Sequence, residues 1–334
     1  MNAFGRLFRV NIFGESHGES VGINIDGIPA GLPLKIEDFL ADIERRKGGT
    51  QKGTTPRQES DLPIFKSGVF NDTTTGAPLT ILFENNNTRS GDYQKQRAVP
   101  RPGHADFVAG IKFGGFEDFR GGGHFSGRLT VCLVAAGVIA KKILGNNISV
   151  KASILEIGGE QDLDKGLQKA IDQKDSIGGI VECRVTGLPA GIGEPFFDSV
   201  ESQIAHAAFA IPAVRGIEFG TGFPAARMFG AEHNDAIEDA SGKTRTNHAG
   251  GVVGGITNGN ELVFRIAIKP TASTPKEQQT WNCETNAIES FSVKGRHDLC
   301  IALRVPVVLE AITAMVLTDL LLLEQRVPRI YVKN

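Results

Sequence analysis

Two long apolar stretches, residues 129–144 and 306–323, constrain this chain more than any other feature of it. The first falls short of the roughly 20 residues a membrane span requires and ends in Lys141 and Lys142. The second approaches that length, but Glu310 and Asp319 interrupt it. A carboxylate in the centre of a bilayer costs about 3 kcal/mol even on permissive scales. Pro306 sits where the first turn of a helix tolerates proline. Both stretches therefore read as helices buried in a protein core, and no membrane span is expected. A chain of 334 residues with 40% hydrophobic content is large enough to bury them.

Around these helices the pattern mixes periods of two and 3.6. Residues 6–13 and 21–28 predict strands, the second closed by Pro29 and Gly31. Ile36, Phe39, Leu40 and Ile43 have helical spacing, which predicts a helix over 36–46 ending at Gly48 and Gly49. Strands are expected at 64–70 and 79–83, and helices at 105–113 and 126–144. A strand, a helix and a strand follow at 150–157, 163–174 and 180–185. A helix at 200–208 leads into a glycine-rich region, 216–259, before a strand at 262–268 and the terminal helix. Residues 48–60 and 85–106 show no apolar face and read as loops; the second is long enough to suggest function. No linker-like composition shift and no internal repeat divides the chain. The expectation is one α+β or layered α/β domain over 1–334.

The formal net charge of −2 argues against a general nucleic-acid or membrane-surface binder. Aromatic residues are not interleaved with the basic ones, as single-strand binding would require. Cys132, Cys183, Cys283 and Cys300 form no CxxC pair, so neither a zinc ribbon nor a disulfide framework is suggested. No metal site is expected, and reduced thiols in a cytoplasmic protein are. The first 18 residues turn polar before a signal-peptide core develops.

The 41 glycines cluster, and the clusters carry the polar chemistry. GESHG (14–18) places a histidine between turns at the end of a strand, facing either a cavity or solvent. In RPGHAD (101–106), Pro102 and Gly103 set a turn, Arg101 can hold an anion, and His104 can act as a general acid. Asp106 is alternatively a helix N-cap with an incidental histidine nearby. RGGGHFSGR (120–128) before an apolar helix resembles backbone amides offered to an anion, although it is neither a Walker A motif nor a GxGxxG fingerprint. TNHAGGVVGGITNG (246–259), KPTAS (269–273) and GRHD (295–298) add further glycine, hydroxyl and basic groups. Arg45, Arg46, Lys47, Lys52, Arg57, Arg89, Arg97, Arg101, Arg120 and Arg128 gather in or beside these loops despite the near-neutral total. Each motif alone can be a structural turn. Together they point to an electropositive cleft for a small polyanion, since arginine forks suit carboxylate and phosphate.

FGESHG (13–18), IDGIPAGLPL (25–34), RPGHAD, RGGGHFSGR, NHAGG (247–251), KPTAS and GRHD occur in the order in which the chorismate synthase family carries them. The chain resembles that family over essentially its whole length. The resemblance implies a layered β-α-β sandwich, assembled as a homotetramer with FMN sites near subunit contacts. It implies loss of phosphate from 5-enolpyruvylshikimate 3-phosphate with removal of a ring hydrogen, an anti-1,4-elimination that gives chorismate in the shikimate pathway. Reduced FMN is required although there is no net redox change.

Carried over by position, the resemblance assigns His104 to protonating the reduced flavin, His17 to the leaving phosphate, and Asp298 to proton removal near flavin N5. It places substrate or NADP contacts at Ser16, Arg45, Arg46, Lys52, Arg101 and Arg128. FMN contacts fall on His124, Phe125, Ser126, Pro212, Ala213, Gly254, Lys269, Pro270, Thr271, Ala272, Ser273 and Arg296. The chain departs from the family where RGGGRSSARET is usual: His124 replaces an arginine and the last segment is altered. Lys52 stands where arginine is commoner, and Gly48 where proline is. These departures leave open a related flavin- or phosphate-dependent enzyme with another substrate. A non-catalytic nucleotide binder fits less well, because titratable groups occupy so many of the loops. With no reductase domain and no dinucleotide fingerprint, an external source of reduced FMN is expected.

Overall fold

Alternating burial builds the sheets, and uniformly apolar helices fill the space between them. The structure is a computed structural model and describes residues 2–49, 52–55, 59–87, 97–293 and 297–331. In the first half the strands are β1 (Ala3–Phe4), β2 (Arg9–Gly14), β3 (Ser20–Asp26), β4 (Ile64–Ser67), β5 (Val69–Phe70), β6 (Thr73–Thr74) and β7 (Leu79–Glu84). In the second they are β8 (Ser149–Ile157), β9 (Gly179–Thr186), β10 (Val214–Phe219), β11 (Val252–Val253), β12 (Ile256–Thr257), β13 (Leu262–Ile268), β14 (Gln278–Asn282) and β15 (Ala287–Phe291). The helices are α1 (Glu37–Arg46), α2 (Asp106–Phe113), α3 (Thr130–Leu144), α4 (Leu163–Gln173), α5 (Val200–Ala208), α6 (Gly230–His233) and α7 (Val305–Leu323).

The first sheet is ordered β1-β2-β3-β7-β4 and the second β10-β13-β9-β8. In the first, Val21, Ile23 and Ile25 are fully buried and lie opposite Phe83, Ile81 and Leu79. In the second, Leu262, Phe264 and Ile266 lie opposite Val185, Cys183 and Val181. Each sheet thus turns one continuous apolar face inward, with aromatic and β-branched residues paired across strands. Helix α3 packs on the first sheet through β3, α7 packs on the second through β8 and β9, and the two helices pack on each other. The result is a layered β-α-β sandwich of the α+β class.

A Cβ on Gly137 of α3 would lie 2.3 Å from the Cβ of Ala311 on α7, so only glycine allows the helices to approach this closely. The carboxylates that interrupt the apolar run of α7 both have partners. Glu310 accepts from Arg45 at 2.7 and 2.8 Å, from Lys141 at 2.8 Å and from the Ala152 amide at 3.1 Å. Burial alone would raise its pKa, but Arg45 and Lys141 bring it down to about 2. Asp319 accepts the amides of Arg6, Leu7 and Phe8 at 2.7–3.1 Å, which fixes the turn before β2. The segment Ile301–Leu323 is long and apolar enough to cross a membrane, but 89% of its most apolar window is buried here as core.

Several expected elements differ in their limits. The strand expected over 64–70 breaks at Gly68 (φ +83), where a Cβ would meet the Leu79 Cα at 2.6 Å, and continues as the β5–β6 hairpin. The helix expected from 126 starts at Thr130, because Ser126 is extended and caps a 3-10 turn over Gly127–Leu129 through its Oγ. Strand β10 and the hairpin β14–β15 were not anticipated.

Candidate active site

A cavity of about 660 Å³ opens between the two halves of the chain. Its wall is polar on one side and apolar on the other. The apolar side is built by Phe4, Val10 and Ile12 of the first sheet, Leu133 of α3, Ala207, Ala210 and Ile211 at the end of α5, and Val308, Ile312 and Met315 of α7.

On the polar side, the RPGHAD turn forms a unit. Arg101 forks onto both oxygens of Asp106, Nε to Oδ2 at 2.7 Å and Nη2 to Oδ1 at 2.8 Å, and its Nη1 reaches Ser273 Oγ at 3.1 Å. His104 Nδ1 lies 2.5 Å from Asp106 Oδ1. Arg101 Nη2 is also 3.1 Å from that nitrogen, but a guanidinium only donates, so the carboxylate is the partner of a protonated Nδ1. Asp106 is therefore not the N-cap of α2, a position held by Ala105 with no side-chain bond. Burial works against ionisation of Asp106, yet Arg101 and His104 hold its carboxyl well below the usual carboxylate range.

Two consecutive glycines separate His104 from His17. Gly121 and Gly122 have φ of +61° and +81°. A Cβ on Gly121 would stand 2.9 Å from His17 Nε2 and 3.0 Å from Ser16 Oγ; one on Gly122 would stand 3.2 Å from His104 Cε1. The glycine run is thus a partition thin enough for a histidine on each side. Ser16 donates its amide to Gly123 O at 3.1 Å, which ties the two loops together. His124 hydrogen-bonds Gly14 O through Nδ1 at 2.8 Å. The carbonyl can only accept, which leaves Nε2 for the cavity.

A buried cluster joins the end of α1 to the entrance of α3. Asp61 accepts from Arg46 Nη2 at 2.8 Å and, through its other oxygen, from Arg128 Nη1. All three side chains are at most 3% exposed. Asp61 holds this position at φ +52°, a left-handed conformation costly for a residue with a Cβ. Burial lowers the Arg46 pKa to about 10, with nearby Arg304 adding to the effect and Asp61 opposing it. At neutral pH the guanidinium keeps its charge.

Asp298 accepts the Thr55 amide at 2.9 Å and pairs with Arg304 Nη1 at 3.0 Å. Its neighbour His297 also lines the cavity; burial, then the charge of Arg101, pushes its pKa down to about 4. Lys269 donates to Gly103 O at 3.0 Å, which joins the KPTAS loop to the RPGHAD turn.

Of the expected site residues, His104, Asp298, Arg46, Arg101, Arg128, His124, Phe125, Ser126, Pro212, Ala213, Lys269, Thr271, Ala272 and Ser273 line this cavity. Ser16 and His17 lie one glycine behind its wall. Arg45 turns away to Glu310 and Asp42, and Lys52 is exposed, within 3.4 Å of Gln168. Pro270 is not on the wall. Gly254 sits in the β11–β12 turn near the start of α5, whereas only the far end of α5 reaches the cavity. Nine helical residues at about 1.5 Å each put roughly 13 Å between those ends. Arg296 lies outside the described residues. Sequence reasoning gave no role to Asp61, Arg304 or His297. Only His297 had a visible signal, its place inside GRHD.

The chorismate synthase family profile matches residues 8–322. The chain belongs to the chorismate synthase family. It is 75% identical over 331 residues to the chorismate synthase of Chitinophaga pinensis, covering 99% of both chains. It is 44% identical to that of Korarchaeum cryptofilum, covering 95% of this chain and 96% of the relative. A crystal structure of chorismate synthase superposes with a TM-score of 0.73 at 25% identity, covering 96% of this chain and 93% of that one. Family membership makes the chain a carbon–oxygen lyase of the shikimate pathway.

Proposed function

We propose that the cavity eliminates phosphate from 5-enolpyruvylshikimate 3-phosphate to give chorismate, with reduced FMN bound beside the substrate. The observation that carries this reading is the Arg101–His104–Asp106 unit, a held proton donor set among cavity arginines. The residues present fit a flavin phosphate ester. The apolar wall between α5 and α7 suits a flat ring system, and Ser126, Lys269 and Ser273 supply donors for a phosphate or polar ring edge. When bound, reduced FMN supplies electron density to the reacting substrate and recovers it, so the overall change is redox-neutral.

In the reaction a C–O bond to phosphate and a ring C–H bond break, and a ring double bond forms. Asp106 on Nδ1 directs the exchangeable site of His104 to Nε2, the nitrogen available to the cavity. Arg46, Arg101 and Arg128 supply positive charge for the substrate anions, each guanidinium already oriented by an aspartate, Asp61 or Asp106. His17 is assigned to the leaving phosphate, which it would reach past Gly121, a cavity residue with no side chain, and Asp298 to the ring proton. NADP or substrate contacts at Arg45 and Lys52 would require those side chains to leave Glu310 and Gln168.

Gly254 is not among the residues that line the cavity. We assign its FMN contact to the neighbouring copy in the proposed homotetramer. We assign the enzyme to the cytoplasm and the reduction of FMN to an external source.

The test is an anaerobic assay with 5-enolpyruvylshikimate 3-phosphate and dithionite-reduced FMN, following chorismate absorbance and released phosphate together. Equal appearance of both, absent with oxidised FMN, is expected. A folded, FMN-binding protein that releases neither would point to a different phosphorylated substrate.

A further inference from the structure

We infer that Arg304 is a positioning residue for the elimination, acting through Asp298; the inference rests on the role proposed for Asp298 above. Arg304 ends a 3-10 turn, Ile301–Arg304, which carries it back towards Asp298 six positions earlier. Its Nη1 lies 3.0 Å from Asp298 Oδ2 and 3.4 Å from Oδ1, and its Nε donates to the Arg46 carbonyl at 2.8 Å. Asp298 Oδ1 in turn accepts the Thr55 amide at 2.9 Å, and the Leu299 amide donates to Gly53 O at 2.8 Å.

These bonds form a closed ring. Arg304 holds the chain where it leaves α1, Asp298 holds it where it returns at Thr55, and the two are joined by their own ion pair. The side chains are 19% and 11% exposed, so water competes little for either partner. A carboxylate that takes a ring proton must lie within hydrogen-bond reach of it, and misplacement by about 1 Å can cost on the order of 10²-fold in rate. Thr55 fixes one oxygen of Asp298 and Arg304 spans both, so the guanidinium sets the rotation of the carboxyl. Its second bond, to Arg46 O, ties that rotation to the residue whose guanidinium holds substrate anions. A lysine keeps the charge but cannot make both contacts with planar geometry.

The test is a double-mutant cycle on the full-length enzyme with saturating reduced FMN, using Arg304→Gln, Asp298→Asn and both together. Arg304→Gln is expected to lower kcat about 10²-fold with little change in KM. It should cost nothing further in the Asp298→Asn background, because a residue that works through Asp298 has nothing left to position. Arg304→Lys should recover part of the loss. Melting temperature and FMN affinity measured alongside separate a positioning role from a structural one, which would lower both while leaving kcat per bound flavin intact. If Arg304→Gln does not fold, the cycle is run with Arg304→Lys. Independent, multiplicative losses in the two backgrounds, or an unchanged kcat, overturn the inference. Absence of chorismate from the unmutated enzyme would instead sink the proposed function itself.

Discussion

His104 Nδ1 lies 2.5 Å from Asp106 Oδ1, and the same carboxylate receives the fork of Arg101. One anion therefore fixes both the tautomer of a histidine and the direction of a substrate-binding cation. Asp106→Asn offers an amide in its place, which cannot accept from both partners through both atoms. We expect kcat to fall by about 10²–10⁴-fold while FMN still binds. Steady-state kinetics with reduced FMN, together with flavin titration, decides this; full turnover would detach Asp106 from the chemistry.

Gly121→Ala and Gly122→Ala should separate the two histidines functionally. Each places a Cβ at a left-handed φ, a strain on the order of 1 kcal/mol, but against different neighbours. Gly121→Ala drives into His17 and Ser16, and Gly122→Ala into the edge of His104. Both variants should melt several degrees lower and lose turnover. A melting temperature equal to the parent's for either would mean that the partition can widen at no cost.

How far the sequence foretold this arrangement depends on how local each interaction is. Helices α3 and α7, helix α5 and strand β13 were legible because their burial patterns are self-contained. Strand β10 was hidden because Gly216 interrupts its alternation beside a bulge, and β14–β15 because its residues are mostly polar or exposed. The RPGHAD chemistry was visible since Arg101, His104 and Asp106 act on one another. Asp61 and Arg304 were not, because their partners lie elsewhere in the chain or carry no pattern of their own. Of the loop expected over 85–106, residues 88–96 lie outside the described residues.

Acid should weaken the fold in two successive windows that overlap slightly near pH 4. His297 is neutral in the folded state down to about pH 4, while an unfolded histidine charges near 6.5. The unfolded state thus binds the extra proton between those values, and stability falls as pH drops from 6.5 to 4, by at most about 3 kcal/mol. Glu310 has the depressed carboxylate pattern: its contribution is present above about 4.5 and is lost as pH falls towards 2. Urea unfolding across pH should show His297→Asn flattening the upper window and Glu310→Gln the lower. An unchanged slope in either window would remove the corresponding residue from the account.

Asp319→Ala removes the acceptor for the amides of Arg6, Leu7 and Phe8. Charged hydrogen bonds of this kind are worth about 1.5–3 kcal/mol each, and water can reach only part of the vacated site. A loss of about 3 kcal/mol is expected, read from chemical denaturation, with KM raised because Phe4, Val10 and Ile12 line the cavity. Unaltered stability would show that the turn holds itself.

That bond between Asp319 and the first strands also dictates an order of events during synthesis. The amides it receives leave the ribosome more than 300 residues before the carboxylate does. Until α7 emerges, the first sheet has α3 to cover it but no anchor for its leading edge, and the second sheet has only α4 against β8 and α5 against β10, without the long helix that covers its centre. Contacts this distant in sequence form slowly and late. The nascent chain therefore carries apolar sheet surface through almost the whole of translation, and truncation anywhere before α7 should yield a chaperone client rather than a smaller enzyme.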